Sequence, residues 1–240
     1  AFYKRMDQLV VVNPSFIKDL TAYGIDKNKI SYIPNFVSKR HFHLVDSQQK
    51  LKLRKKLSLP IKKFIVIGVG QIQERKGVLD FVKIAELLPQ FYFVWVGGFS
   101  FGRITDGYEQ LKRIVNAPPS NLKFPGIINR NSMGDYYNAC DVFFLPSYNE
   151  LFPMSILEAA SCGLPVVVRN LNLYRSILAE KYLSGQNIQE FRKVLEKLSA
   201  DKELQVKQQA ASQAISEEYS EEHLAKKWLK FYRSQSELNQ

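Results

Sequence analysis

The chain has 240 residues, carries 34 Lys and Arg against 23 Asp and Glu for a formal charge of +11, and is 45% hydrophobic. That apolar share excludes a disordered chain and suffices for one large domain, or one and a half small ones. No apolar run approaches the roughly 20 residues that span a bilayer, and Cys140 and Cys162 lie in apolar stretches without metal-ligand spacing, as core residues of a protein in a reducing cytoplasm would.

The first residues, AFYKRMDQ, run directly into LVVV without the pattern of a signal peptide. An initial Ala in place of Met suggests a processed or shortened chain. The charge is concentrated in this part: residues 1–63 hold fourteen Lys and Arg against Asp7, Asp19, Asp26 and Asp46, which is +10 of the +11. The densest stretch, from Lys50 to Lys63, is KLKLRKKLSLPIKK. It reads either as a solvated helix face or as a surface drawn to an anionic membrane, where each cation contributes ~1 kcal/mol. Nucleic acid is not an expected partner, because neither zinc-finger spacing nor an RNP-like aromatic motif is present. His41 and His43, flanking Phe42, read as exposed linker residues and not as a metal pair.

Strands are expected at 9–12, 31–33, 64–69, 91–96, 141–145 and 165–168, with helical segments between them, most clearly at 78–88 and 153–162. Runs such as FIVIGV and VVVR are apolar on both faces, as strands of a helix-covered parallel sheet should be. The fold class is therefore α/β, a Rossmann-like doubly wound parallel sheet. From about Asn187 the strands stop, and two or three charged, Gln-rich helices form a carboxyl-terminal extension; the last, near 221–233, carries Trp228 and Phe231. Trp95 reads as core packing, with Gly97 and Gly98 beyond it free to approach a nucleotide.

Ligands of such sheets bind in the loops beyond the carboxyl ends of the strands. The loop Gly68-Val69-Gly70-Gln71-Ile72-Gln73-Glu74-Arg75-Lys76-Gly77 follows a strand and precedes a helix. It lacks the third glycine of a dinucleotide fingerprint, since position 73 is Gln, and it is not a Walker A loop. Arg75 and Lys76 nevertheless sit at a helix entrance, a reasonable cradle for an anion. A second loop reads Pro146-Ser-Tyr-Asn-Glu150-Leu-Phe152-Pro153-Met154-Ser155-Ile-Leu-Glu158. Pro153 is expected at the first helical position, leaving N–H groups near Met154, Ser155 and Ile156 for a phosphate. Glu158 is an acid inside an otherwise apolar helix, costly to bury unless it binds something. Gly163 ends that helix.

The E-x7-E spacing of Glu150 and Glu158 resembles the donor-site motif of retaining GT-B glycosyltransferases of the family-4 type. Three further blocks match in order: Ile33-Pro34-Asn35-Phe36-Val37, where the chain of such enzymes enters the donor domain; Gly70 to Gly77 as the phosphate loop; and Phe124-Pro125-Gly126-Ile127-Ile128 with Tyr136 to Asp141 on the nucleotide-base side. The wording of RKGVLDFVKIAELLPQFYFVWVG and KFPGII is similar to that of Gram-positive enzymes that build glycosyl-diacylglycerol membrane lipids.

The resemblance implies a carboxyl-terminal donor-binding domain over residues 36–240, with 1–35 the end of a preceding acceptor domain and linker. It implies that Glu150 holds sugar hydroxyls, that Glu158 holds the ribose, and that Lys76 with Arg75 neutralises the diphosphate. Gly70, Gln71, Phe152, Pro153, Met154, Ser155, Ile127 and Ile128 would line the donor. Two departures stand out: Gln71 replaces an Arg common in the family, and Pro153 replaces a Gly and so removes one N–H. The expected donor is a UDP-hexose, glucose or galactose, and the expected acceptor a membrane glycolipid met at the inner face of the plasma membrane. No cofactor is implied, and the absence of any DxD sequence argues against a metal-held diphosphate. A cell-surface polysaccharide precursor is an alternative acceptor. A sugar-nucleotide epimerase or phosphorylase, or a non-catalytic basic module binding lipid or RNA through residues 50–63, are alternative functions.

Overall fold

A computed structural model describes residues 2–100 and 102–238. The strands are β1 (Leu9–Val11), β2 (Ile30–Tyr32), β3 (Ile65–Val69), β4 (Tyr92–Val96), β5 (Leu122–Gly126), β6 (Val142–Leu145), β7 (Val166–Arg169) and β8 (Leu183–Gly185). The helices are α1 (Ser15–Ala22), α2 (Ser47–Lys56), α3 (Val78–Leu87), α4 (Tyr108–Asn116), α5 (Arg130–Ala139), α6 (Met154–Ser161), α7 (Asn172–Leu178), α8 (Ile188–Ala200), α9 (Lys202–Glu218) and α10 (Glu221–Leu238). Every strand expected from the sequence forms within a residue of its expected bounds. β5 and β8 were not expected: β5 contains Pro125, which a ladder tolerates only at an edge, and β8 is three residues long.

The principal sheet is parallel throughout, in the order β5-β4-β3-β6-β7-β8. The chain winds outward from β3 to one edge and outward from β6 to the other, so the order reverses between these two neighbours. Right-handed crossovers then put α3 and α8, which touch, on one face, and α5 and α6, with α2 and α9 against them, on the other. This is the doubly wound α/β fold expected. Between the layers Phe81 stacks on Phe144 and meets Phe93 and Trp95 edge-on, while Phe144 meets Phe191. Trp95 is fully buried, and its indole N–H donates to Gly70 O at 3.1 Å, so this packing residue also anchors the loop after β3.

Lys52, Lys55, Lys56, Lys62 and Lys63 of the basic run 50–63 are exposed, but part of the run is tied into the fold. Arg54 is buried, donating to Ala139 O (2.9 Å), Ile61 O (2.9 Å), Lys63 O (3.2 Å) and Asp141 Oδ2 (2.6 Å). Lys50 pairs with the other Asp141 oxygen at 2.7 Å and Lys56 with Asp135 at 2.7 Å. A guanidinium out of water needs every donor engaged, and here three of the run's cations brace α2 against α5 and β6. His41 and His43 are exposed as expected, but Phe42 between them is buried against Tyr137.

Residues 9–32 form a separate two-stranded parallel sheet with α1 against it and its own small core of Val11, Ile25 and Ile30. This unit is tied to the main body by several contacts, among them a side-chain hydrogen bond between Tyr32 and Tyr219. Asn13 Nδ2 donates to Leu151 O at 2.8 Å, and the following segment is pinned where Val37 N donates to Tyr219 O at 2.9 Å beside a Val37–Ser220 bridge. At the other end α9 lies on α6, with Ser212 Oγ donating to Leu164 O at 2.6 Å. α10 buries Leu224 and then runs on with Trp228 stacked against Tyr232 and edge-on to Phe231. Among the described residues no helix is long and apolar enough to cross a membrane.

Candidate functional site

The strand order reverses between β3 and β6, and at such a reversal the crevice beyond the carboxyl ends of the strands, here between the loops leaving β3 and β6, is where ligands of doubly wound sheets bind. The two loops are sewn together. Arg75 O accepts from Tyr148 N at 2.9 Å and from Ser147 Oγ at 3.1 Å, and Arg75 Nη1 donates to Asn149 O at 2.7 Å. Gly77 makes the approach possible. Its φ is +73°, and a Cβ there would stand 2.3 Å from Pro146 O, so only glycine permits this turn and this contact together. Gly97 plays the same part behind the first loop, with φ +143° and Gly70 O 1.9 Å from where a Cβ would be. A second clamp holds the β6 loop from outside: Arg169 bonds Asp80 and Pro146 O, its guanidinium lies 3.9 Å from the Tyr148 ring centre, and Tyr148 donates to Asp80 at 2.8 Å.

At the base of the crevice Lys76 Nζ donates to both carboxylate oxygens of Glu150, at 2.7 and 2.9 Å. The Glu150 side chain is only 4% exposed and that of Lys76 16%. The sequence brought these two residues to one site, but as a cation for a phosphate and an acid for a sugar; the structure joins them to each other. In this state the cradle is closed by its own charges. Arg75, expected to share the work of neutralising an anion, is exposed and committed to Asn149 O, so its guanidinium first of all staples the loop that carries Glu150. Gly70 fixes the loop by donating to Val96 O at 3.0 Å. Gln71 is half-buried and accepts from Gln73 Nε2 at 2.8 Å.

The entrance of α6 differs from the sequence expectation in one respect. Pro153 is not the first helical residue but the cap before it, extended at φ −79° and ψ 99°, and Met154 begins the helix. The Ile156 N–H is taken by Pro153 O at 3.1 Å. The N–H groups of Met154 and Ser155 have no acceptor among the described residues, which leaves two donors and the positive end of the helix dipole at the crevice. Phe152 is half-buried, its ring 5.9 Å from that of Tyr219.

One turn further along α6, Glu158 Oε2 accepts from the Tyr137 hydroxyl at 2.9 Å, and Oε1 lies 3.8 Å from Arg130 Nη2. Burial pushes the Glu158 carboxyl above the usual carboxylate range, opposed by the Tyr137 hydrogen bond and then by Arg130. Neither partner was singled out from the sequence, although Tyr137 lies within the block assigned to the base side. Ile127 is 75% exposed, and its Cγ1 would touch a Cβ on Gly98 at 2.8 Å; Ile128 beside it packs on the core. Ile127, Gly97 and Gly98 thus form a shallow apolar ledge on the β4–β5 side. Among the described residues no group of three or more His, Cys, Asp and Glu is placed to hold a metal ion. Both thiols are buried, and Cys162 is pushed up to about 12 by burial first and the Glu158 charge second.

Residues 49–215 match the family model described as glycosyl transferases group 1. Over 238 residues, 99% of this chain, the sequence is 49% identical to the alpha-galactosylglucosyldiacylglycerol synthase of Streptococcus pneumoniae R6, of which it covers 64%. It is 35% identical over 147 residues, 60% of this chain, to the processive diacylglycerol alpha-glucosyltransferase of Acholeplasma laidlawii, of which it covers 43%. The chain therefore spans less than two thirds of the length of either. Among solved structures, Anabaena Alr3699/HepE in complex with UDP-glucose superposes with a TM-score of 0.83 at 18% identity, over 96% of this chain and 65% of that one, a likeness of GT-B fold.

Proposed function

The chain belongs to the glycosyl transferases group 1 family, and from that premise we propose that it is the donor-binding half of a glycosyltransferase acting on diacylglycerol-type glycolipids. Its donor is a UDP-hexose, glucose or galactose; its acceptor is a glycosyl-diacylglycerol at the inner face of the plasma membrane. Residues 36–240 bind the donor, and residues 1–35 are the end of the acceptor domain and the linker. The observation that carries this reading is the Lys76–Glu150 pair at the reversal of strand order, flanked by the open amino end of α6 and, within that helix, by Glu158.

The chemistry follows from those charges. Transfer breaks the bond between the anomeric carbon and the diphosphate oxygen, the electron pair leaving with the diphosphate. Lys76 turns from Glu150 to that growing negative charge, and the Met154 and Ser155 N–H groups add donors aimed at a second phosphate. Charge-assisted hydrogen bonds of this kind contribute ~1.5–3 kcal/mol each, and they are strongest where charge develops in the transition state. Glu150, released, orients sugar hydroxyls, while Glu158 accepts from the ribose. The acceptor hydroxyl attacks from the face the diphosphate leaves, its proton passing to the departing phosphate oxygen, so configuration is retained without a covalent adduct on Glu150 and without a metal. The relatives' names support the glycolipid acceptor, and the complex of Anabaena Alr3699/HepE supports the UDP donor.

Calorimetric titration of the chain with UDP, ADP and GDP tests the reading. Binding selective for UDP that weakens in Glu158→Ala is expected, with little sugar transfer by these residues alone. Preference for ADP or GDP would change the donor, and no binding to any nucleotide would overturn the assignment of the crevice.

A further inference from the structure

Glu150 depends on a single partner. Lys76 is the only hydrogen-bond donor to its carboxylate among the described residues, and the function proposed above, on which this inference rests, requires Lys76 to leave it for the donor's diphosphate. A carboxylate buried this deeply is costly to leave without a donor. The buried cation Arg169 is already spent on Asp80, Pro146 O and Gln186 O. Among the described residues two buried hydroxyls lack a hydrogen-bond partner, those of Thr105 and Tyr174, and only the second lies in the field of Glu150. Tyr174 in α7, at the carboxyl end of β7, is completely buried, and its hydroxyl has no hydrogen-bond partner. After burial, the negative charge of Glu150 is the largest influence on the Tyr174 phenol, which stays protonated and therefore remains a donor. Phenylalanine would fill the same space without stranding an O–H, so the idle hydroxyl is a cost in the state described here. The helix that carries it is strained at its end: Ala179 and Glu180 follow it with φ of 46° and 60°, the left-handed region that side chains avoid.

We propose that Tyr174 is a positioning residue whose hydroxyl takes over the Glu150 carboxylate when Lys76 swings to the anionic leaving group, so that Glu150 keeps a hydrogen-bond donor and stays fixed while the cation is engaged elsewhere. Tyr174 touches neither substrate nor reacting atoms; it acts through Glu150.

A double-mutant cycle on the ligand-free chain tests this without requiring that any nucleotide bind. Tyr174→Phe alone leaves the melting temperature unchanged or slightly raised, because the hydroxyl has no partner while Lys76 is in place. In a Lys76→Met background the same substitution lowers it by at least about 3 °C, the scale of coupling between contacting residues in a chain of this size. A slowly exchanging Tyr174 hydroxyl proton appears in the spectrum of Lys76→Met and is absent from the parent, a signature that a merely structural tyrosine would not produce. If Lys76→Met does not fold, Lys76→Gln takes its place. An equal effect of Tyr174→Phe in both backgrounds, or a hydroxyl signal unmoved by loss of Lys76, overturns the proposal, whereas failure of the nucleotide titration would bear on the donor assignment instead.

Discussion

Removing Lys76 should destabilise the chain far more than removing a surface charge, and the cost should vanish when Glu150 is removed as well. The ammonium lies 2.7 and 2.9 Å from the two oxygens of a carboxylate that is 4% exposed. At an effective dielectric of 20 the attraction is roughly 6 kcal/mol, but both ions give up hydration to meet, so that figure is not their net worth. Lys76→Met leaves the acid buried without its cation, for which the expected loss is about 3–5 kcal/mol. The double variant Lys76→Met, Glu150→Leu exchanges two buried ions for two apolar side chains of similar size and should come within ~1 kcal/mol of the parent. Urea unfolding of the parent, both single variants and the double variant at pH 7 measures all three quantities. A cost below ~1 kcal/mol for Lys76→Met, or a double variant as unstable as the sum of the singles, would show that the pair does not hold the site closed and refute the reasoning.

Glu158 gives a pH-dependent counterpart. Its carboxyl titrates above the ordinary carboxylate range when folded, so the stability it contributes is complete at pH below its unfolded value and declines as pH rises through the folded one. Glu158→Gln should therefore stabilise the ligand-free chain at pH 7 and match the parent near pH 3, as read from urea midpoints; equal gains at both pH values would contradict this. Tyr137→Phe removes the hydrogen bond to that carboxylate and should cost about 1.5–3 kcal/mol at pH 7, with thermal unfolding as the check. Cys140 and Cys162 are buried and held as thiols, so neither should react with an aromatic disulfide reagent at pH 8 until urea unfolds the chain; rapid native labelling would place one at the surface. Gly77→Ala meets both a left-handed backbone and Pro146 O, and a loss above ~2 kcal/mol is expected in the same urea assay.

The strands that the sequence made plain are the central ones, β3, β4, β6 and β7, because apolar residues on both faces are what a covered parallel strand demands. The edge strands escaped notice for the reasons that allow them to be edges: Pro125 interrupts β5, and β8 is too short to show a period. The site was legible as a set of residues, since E-x7-E, Lys76 and the loop glycines sit in fixed positions relative to strands and helices. What spacing does not record is partnership across the sheet. Lys76 and Glu150 are 74 residues apart, Arg54 and Asp141 are 87 apart, and only the folded register shows that these charges meet. Arg75 looked like half of an anion cradle because its sequence neighbour is Lys76, and successive residues of a tight turn need not face the same way.

The parallel bridge between Val37 and Ser220 has a consequence for how such domains are shared among proteins. The chain crosses into the principal sheet's domain and out toward α10 at neighbouring points, so the intervening residues form a closed circuit with both leads on one side. A circuit of that kind is portable: residues 37–220 could be excised and grafted between two adjacent positions of another scaffold, or re-opened at a surface turn with the old leads joined, without rerouting a strand. A glycosyl transferases group 1 cassette with adjoining leads could thus be combined with different flanking domains while its internal wiring is left untouched.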